Sequence, residues 1–85
     1  MTELKTLLNL GPRSAERLRA VGIKDVETLE QMGVAQAYQR VKAAFPQQTS
    51  LNLLYSLQGG LLGIPWQELP ETIKHDLRKA LDDEN

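Results

Sequence analysis

The stretch Asn9-Leu10-Gly11-Pro12-Arg13-Ser14 holds the residues of this chain best placed to do chemistry, and that chemistry is the binding of an anion. An aliphatic residue stands between Asn and Gly, the two residue types that most readily accept left-handed backbone. In such a turn Leu10 plugs inward and its neighbours bend the chain around it. Pro12 suits the first position of a helix, where its missing N–H would have no intrahelical partner. The amides of Gly11, Arg13 and Ser14 then lie at a helix N-terminus and point outward. Unpaired donors and the positive end of the helix dipole together favour a phosphate there. Arg13 and Arg17 are one turn apart and can flank the same phosphate, and Lys24 supplies a further positive charge. The candidate set is therefore Asn9, Gly11, Arg13, Ser14, Arg17 and Lys24. A scaffold reading stands beside it, because Gly-Pro turns also precede helices in small bundles that bind nothing.

Other chemistry finds little support. The chain has no Cys and a single histidine, His75, so a zinc site lacks ligands. Ser14, Ser50 and Ser56 have no evident Ser-His-Asp context; capping or packing accounts for the first two. No phosphate-binding loop, paired carboxylates in an apolar setting or metal-ligand spacing is present. A base-modifying enzyme needs a catalytic side chain and a base pocket, for which 85 residues leave little room. A non-catalytic protein without a cofactor is expected.

The elements that must position the turn all carry helical periodicity. Leu4, Leu7 and Leu8 share a face, with Thr2 as N-cap. A second helix starts at Pro12, buries Ala15 and Leu18, and ends at Gly22, with Ile23 folding back on Leu18. Asp25 caps a third, whose apolar face is Val26, Leu29 and Met32, and Gly33 ends it. Val34, Ala37, Tyr38, Val41, Ala44 and Phe45 continue the spacing until Pro46. Ser50 caps the leucine-rich helix "LNLLYSLQGGLLG", with Leu51, Leu54, Leu57 and Leu61 on one side; it is apolar around much of its circumference and is expected to be central. Gly59 and Gly60 each cost roughly 1 kcal/mol relative to Ala in a helix. They imply a close helix crossing there, or else a break. Pro70 opens the last helix, with Ile73, Leu77, Ala80 and Leu81 facing inward and Trp66 and Leu69 packed on its start. Its acidic end, Asp82, Asp83 and Glu84, opposes the helix dipole and is expected to fray. No segment alternates with period two, so the expected fold is all-α: one domain over residues 1–85, a small bundle of five to six short helices.

A pattern of Gly, aliphatic residue, Gly marks the hairpin of the helix-hairpin-helix motif, and Asn9, Leu10 and Gly11 occupy those places. "LLGIPWQEL" shares Leu, Gly and Pro with "LNLGPRSAERL", but Trp66, Gln67 and Glu68 replace the basic residues. It is not read as a second phosphate site. The similarity is wider than the hairpin. "LLNLGPRSAERLRAVGI", "LEQMGVAQAYQRVK", "SLNLLYSLQGGLLGIPWQELP" and the closing helix, in this order, resemble the C-terminal domain of the TfoX/Sxy family of bacterial competence regulators. The resemblance spans roughly residues 5–82, and the "LNLLY…LxGxLxGxxW" block is its most specific part. It implies a helix-hairpin-helix-like (SAM-like) helical fold and a link to transcription of DNA-uptake genes, and it brings no catalytic site. Family members typically have an N-terminal α/β domain as well, so the chain reads as a stand-alone C-terminal domain or a fragment.

Charge and composition bound the partners. The net charge of −1 argues against tight general binding of polyanions. Its distribution is uneven: residues 1–45 carry seven Lys and Arg against five Asp and Glu, and residues 46–85 carry three against six. An anion-binding face belongs in the first half. No apolar run reaches membrane-spanning length and the N-terminus lacks the pattern of a signal peptide, so a cytoplasmic protein without a membrane partner or small-molecule substrate is expected. Two functions follow. One is a regulatory module working through a protein partner or a second copy, suggested by the leucine-rich helix and near-neutral charge. The other is a weak, non-sequence-specific DNA contact through residues 9–14.

Overall fold

A computed structural model describes the backbone of residues 2–84 and the side chains of residues 2–82. Among the described residues five α-helices follow one another: α1 (Pro12–Ala20), α2 (Val26–Met32), α3 (Val34–Ala44), α4 (Leu51–Leu62) and α5 (Glu71–Glu84). Short 3-10 turns at Leu4–Thr6 and Trp66–Glu68 precede α1 and α5. Among the described residues there is no strand, only an isolated antiparallel bridge between Glu3 and Asp25. The fold is all-α, and among the described residues no helix is long and apolar enough to cross a membrane.

The helix ends fall where the sequence punctuates. At α1 the N–H of Ile23 donates to the carbonyl of Leu18 (2.9 Å) and that of Gly22 to Arg19 (3.1 Å). This double closure needs left-handed backbone at Gly22, whose φ is 90°. It also folds Ile23 onto Leu18, and both are fully buried. Asp25 caps α2, its carboxylate accepting from the Thr28 amide (2.8 Å) and hydroxyl (2.6 Å). Those two bonds hold the Asp25 carboxyl below the ordinary aspartate range. A lowered folded-state pKa gives stability that is present above the unfolded value and is lost as pH falls through the folded one. Asn caps as well as Asp but does not titrate. Asp25→Asn is therefore expected to melt less steeply than the parent on acidification below the carboxylate range, as read by circular dichroism melts against pH; parallel curves would refute it.

Helix α3 is the hub, lying against α1, α2, α4 and α5. Val34, Ala37, Tyr38 and Val41 form its buried face, and Ala37 and Val41 are wholly inaccessible. The sequence marks α4 as central because it is apolar nearly all round; α4 is deeply buried, but it packs mainly on α3 and the 66–68 turn. Leu54 and Leu57 are inaccessible, whereas Leu51 at the helix start stays exposed. Past α3, Lys42 donates its ammonium to the carbonyls of Pro46 (2.9 Å) and Thr49 (2.8 Å), and Thr49 donates its hydroxyl to Phe45 (2.7 Å). These bonds satisfy the carbonyls of the turn that hands the chain to α4.

Three expectations need correction. Leu4 to Leu8 do not form a helix capped by Thr2. Thr2 is instead paired to the start of α2, accepting from Val26 (2.9 Å) and donating to the Glu27 carboxylate (2.6 Å). The helical spacing there is met by a 3-10 turn followed by extended backbone at Leu7, which buries Leu4 and leaves Leu8 exposed. Ser50 occupies the N-cap position of α4 with extended backbone, but its hydroxyl makes no cap bond. The glycine pair neither breaks α4 nor marks a helix crossing: α4 is continuous, and the segments that come close are the turn before α1 and the loop after α4. Pro70 accepts from Lys74 at the start of α5 as expected. The side chains of Asp83 and Glu84, on which the expectation of a fraying end partly rests, lie outside the described residues.

Candidate nucleic-acid interface

The turn before α1 is built around Leu10, whose side chain is buried in the core. Its amide closes on the carbonyl of Leu7 (3.2 Å). Asn9 takes left-handed backbone with φ 75°, as its type allows. Gly11 does not: its φ is −91° with extended ψ, and no atom lies within 4 Å of where a Cβ would stand. The second half of the hairpin thus needs no glycine for its own geometry. What the missing side chain leaves is bare backbone open to solvent.

Asn9 turns inward. Its amide nitrogen donates to the carbonyls of Ile64 (3.0 Å) and Ser56 (3.4 Å), and its oxygen accepts from the Trp66 amide (3.2 Å). One side chain thereby clasps the hairpin to α4 and to the loop after it. A side chain counted among the anion-binding candidates is thus spent on bonds within the fold.

The outward donors remain available. Among the described residues, the amides of Gly11, Arg13 and Ser14 have no hydrogen-bond partner, and no side chain caps α1. The first turn of α1 carries no acidic residue. Arg13 is exposed and Arg17 half-buried; with Glu16, Ala20 and Phe45 they line one shallow groove of about 390 Å³. Arg17 also donates to the carbonyl of Gln48 (3.2 Å), which fixes one edge of its guanidinium and leaves the rest free. Glu16 sits on the same face and tempers its charge. Lys24 falls beyond the C-terminal end of α1, and a nine-residue helix spans about 13 Å. The structure therefore brings Gly11, Arg13, Ser14 and Arg17 together, gives Asn9 a different task, and leaves Lys24 apart.

Sequence reading missed one feature. Ser14 and Arg17 also face a second, polar cavity whose far wall is Gln48, Ser50, Asn52, Leu53 and Ser56. Serines near two helix starts are visible in the sequence, but nothing in it says that those starts adjoin.

The chain is similar over its length to proteins already grouped or solved. It matches the TfoX C-terminal domain family over residues 1–81. The crystal structure of an uncharacterized protein from Listeria monocytogenes, in a triclinic form, shares 30% identity and superposes with a TM-score of 0.83. That likeness covers 94% of this chain and 90% of the Listeria chain. Among curated proteins none matches. A family match over nearly every residue, and a solved relative that superposes over most of both chains, place the chain: it belongs to the TfoX C-terminal domain family.

Proposed function

We propose that this chain is a non-catalytic module of transcriptional regulation that rests on the phosphate backbone of DNA through the hairpin at residues 9–14. One observation carries the reading: three amides at the start of α1, on exposed Gly11 and Arg13 and half-buried Ser14, lack internal partners, with the Arg13 and Arg17 side chains on the same helix. Backbone donors at a helix N-terminus bind a phosphate without reading sequence. Gly11 lets the phosphate approach closely, Leu10 fixes the turn, and Asn9 holds it to α4 without touching the ligand. The work is done in the cytoplasm, a setting that suits a chain without cysteine.

The contact is small. Roughly two to four phosphates give a dissociation constant near 10⁻⁴ M and a logarithmic salt slope of about −2 to −4. Titration of a labelled duplex at low salt tests this. The parent chain is expected to bind, with affinity falling as salt rises, and Arg13→Ala/Arg17→Ala to bind about tenfold more weakly. Equal binding by both, or binding by neither, overturns the reading.

A second reading, contact with a protein partner or a second copy, is favoured by Leu51 and Leu62. They are 42% and 50% exposed and stand eleven residues apart, three turns along one face of α4. Sedimentation at micromolar concentration decides its self-association form, which a strict monomer excludes.

A further inference from the structure

The polar cavity beside the hairpin has a composition that the hairpin reading does not explain. It measures about 190 Å³, below the roughly 300–1,000 Å³ of a pocket for a drug-sized ligand. Its polar side chains are Ser14 and Arg17 from α1, Gln48, Ser50 and Asn52 from the start of α4, and Ser56 from its middle. Every one of these can donate a hydrogen bond, and none is a carboxylate. Ser14 is the third residue of α1 and Ser50 the N-cap of α4, so two helix N-termini adjoin one cavity, and neither is capped by a side chain.

Ser56 is the independent sign of a ligand. It lies six residues beyond the N-cap of α4, away from either helix end, and is 91% buried, with 9% of its surface accessible. Its carbonyl accepts from Asn9, but its hydroxyl has no hydrogen-bond partner among the described residues. No sealed side-chain oxygen or nitrogen in the described structure lacks a partner, so the hydroxyl must keep its remaining access, and that access is through the cavity it lines. With no partner in the protein, that hydroxyl is free to donate to whatever acceptor occupies the cavity, water or an anion.

We propose that this cavity binds a phosphate-class oxyanion, with the Arg17 guanidinium supplying charge and the Ser14, Ser50, Asn52 and Ser56 side chains supplying donors. Arg17 is the one charged lining residue, and the Gln48 carbonyl already holds one edge of its guanidinium, so its free N–H groups are preorganised. The source is either free phosphate, including a phosphate monoester, or a phosphodiester of nucleic acid. The site shares Ser14 and Arg17 with the proposed duplex contact and differs from it in Ser50, Asn52 and Ser56, which take no part in the hairpin, and in Arg13, which does not line the cavity.

The test is an amide nitrogen–proton correlation spectrum of the full chain, titrated with sodium phosphate and, at matched ionic strength, with sodium chloride. Saturable shifts at Asn52 and Ser56 with phosphate but not chloride are expected. Loss of one donor to the anion is expected to weaken binding about tenfold in Ser56→Ala, and Arg17→Ala to weaken it at least as much. Arg13→Ala, which impairs the duplex contact, is expected to leave the phosphate affinity read at Asn52 and Ser56 unchanged, so the two ideas fail separately. Non-saturating shifts, the same response to chloride, or unaltered affinity in both Ser56→Ala and Arg17→Ala overturns the proposal. A second arm adds a short duplex. Displacement of phosphate from Ser56 by the duplex assigns the site to a phosphodiester; undisturbed phosphate assigns it to the free ion or a monoester.

Discussion

Replacing Gly59 by Ala destabilises the chain by about 2–3 kcal/mol, against a gain of roughly 1 kcal/mol that helix propensity alone gives. The sign is the point. Gly59 lies within a continuous α-helix, where Ala is the better residue. Yet a Cβ there would stand 2.7 Å from the carbonyl oxygen of Ile64 and 2.8 Å from the amide nitrogen of Asn9. Neither neighbour is free to move. Ile64 donates its own amide to the Gly59 carbonyl (2.9 Å) and accepts from Asn9, so backing away breaks two bonds. Gly60→Ala meets the Leu8 carbonyl at 2.7 Å and is expected to behave alike. For a domain of this size the loss corresponds to a fall in Tm of about 10–20 °C, read by circular dichroism. Gly11→Ala is the control. Its φ is negative and its surroundings are open, so it melts within a few degrees of the parent or slightly above it. A Gly59→Ala variant that melts at or above the parent would show that the loop yields.

The glycine pair also shows how far the sequence can be read. Two glycines inside an apolar helix announce that something comes close, and something does. They carry no information about what: the partners are Leu7 to Asn9, some fifty residues earlier, and Ile64 and Trp66 in the loop that follows. Helix extents were legible because Pro12, Gly22, Asp25, Gly33, Pro46 and Pro70 act locally, each through its own backbone. Leu4, Leu7 and Leu8 misled because spacing of three and four also fits two consecutive turns, and only the pairing of Thr2 with Val26 selects between them. The hub role of α3 was hidden for a different reason. Ala37 contributes to it by being small, and a small residue on a helix face looks like a weak apolar signal rather than a close approach.

At the candidate site the division is similar. The inward peg Leu10, the left-handed Asn9 and the open amides after Gly11 follow from residue type and order. The polar cavity does not, because it needs the start of α4 to arrive beside α1, a consequence of the whole bundle.

Asn9 offers the sharpest separation of scaffold from contact. As a substitute for glycine in a left-handed turn it needs only a tolerant backbone; the structure gives it three bonds as well, to Ser56, Ile64 and Trp66. Asn9→Gly keeps the backbone unstrained and removes all three. At about 1 kcal/mol net for each bond, with partial rescue by water at this half-buried position, it is expected to cost about 2 kcal/mol. Asn9→Ala removes the same bonds and also holds a Cβ at φ 75°, which adds about 1–2 kcal/mol. Denaturant unfolding should therefore rank parent, Asn9→Gly and Asn9→Ala in falling stability. If Asn9 were only a turn former, Asn9→Gly would match the parent, and the clasp would be refuted. The same variant bears on DNA. Because the clasp points away from the open amides, Asn9→Gly is expected to bind duplex like the parent wherever it remains folded, while Arg13→Ala, which touches no core bond, binds more weakly and keeps its stability. The opposite pattern, weakened binding in folded Asn9→Gly, would place the Asn9 amide at the phosphate and the clasp in an unbound state of the hairpin.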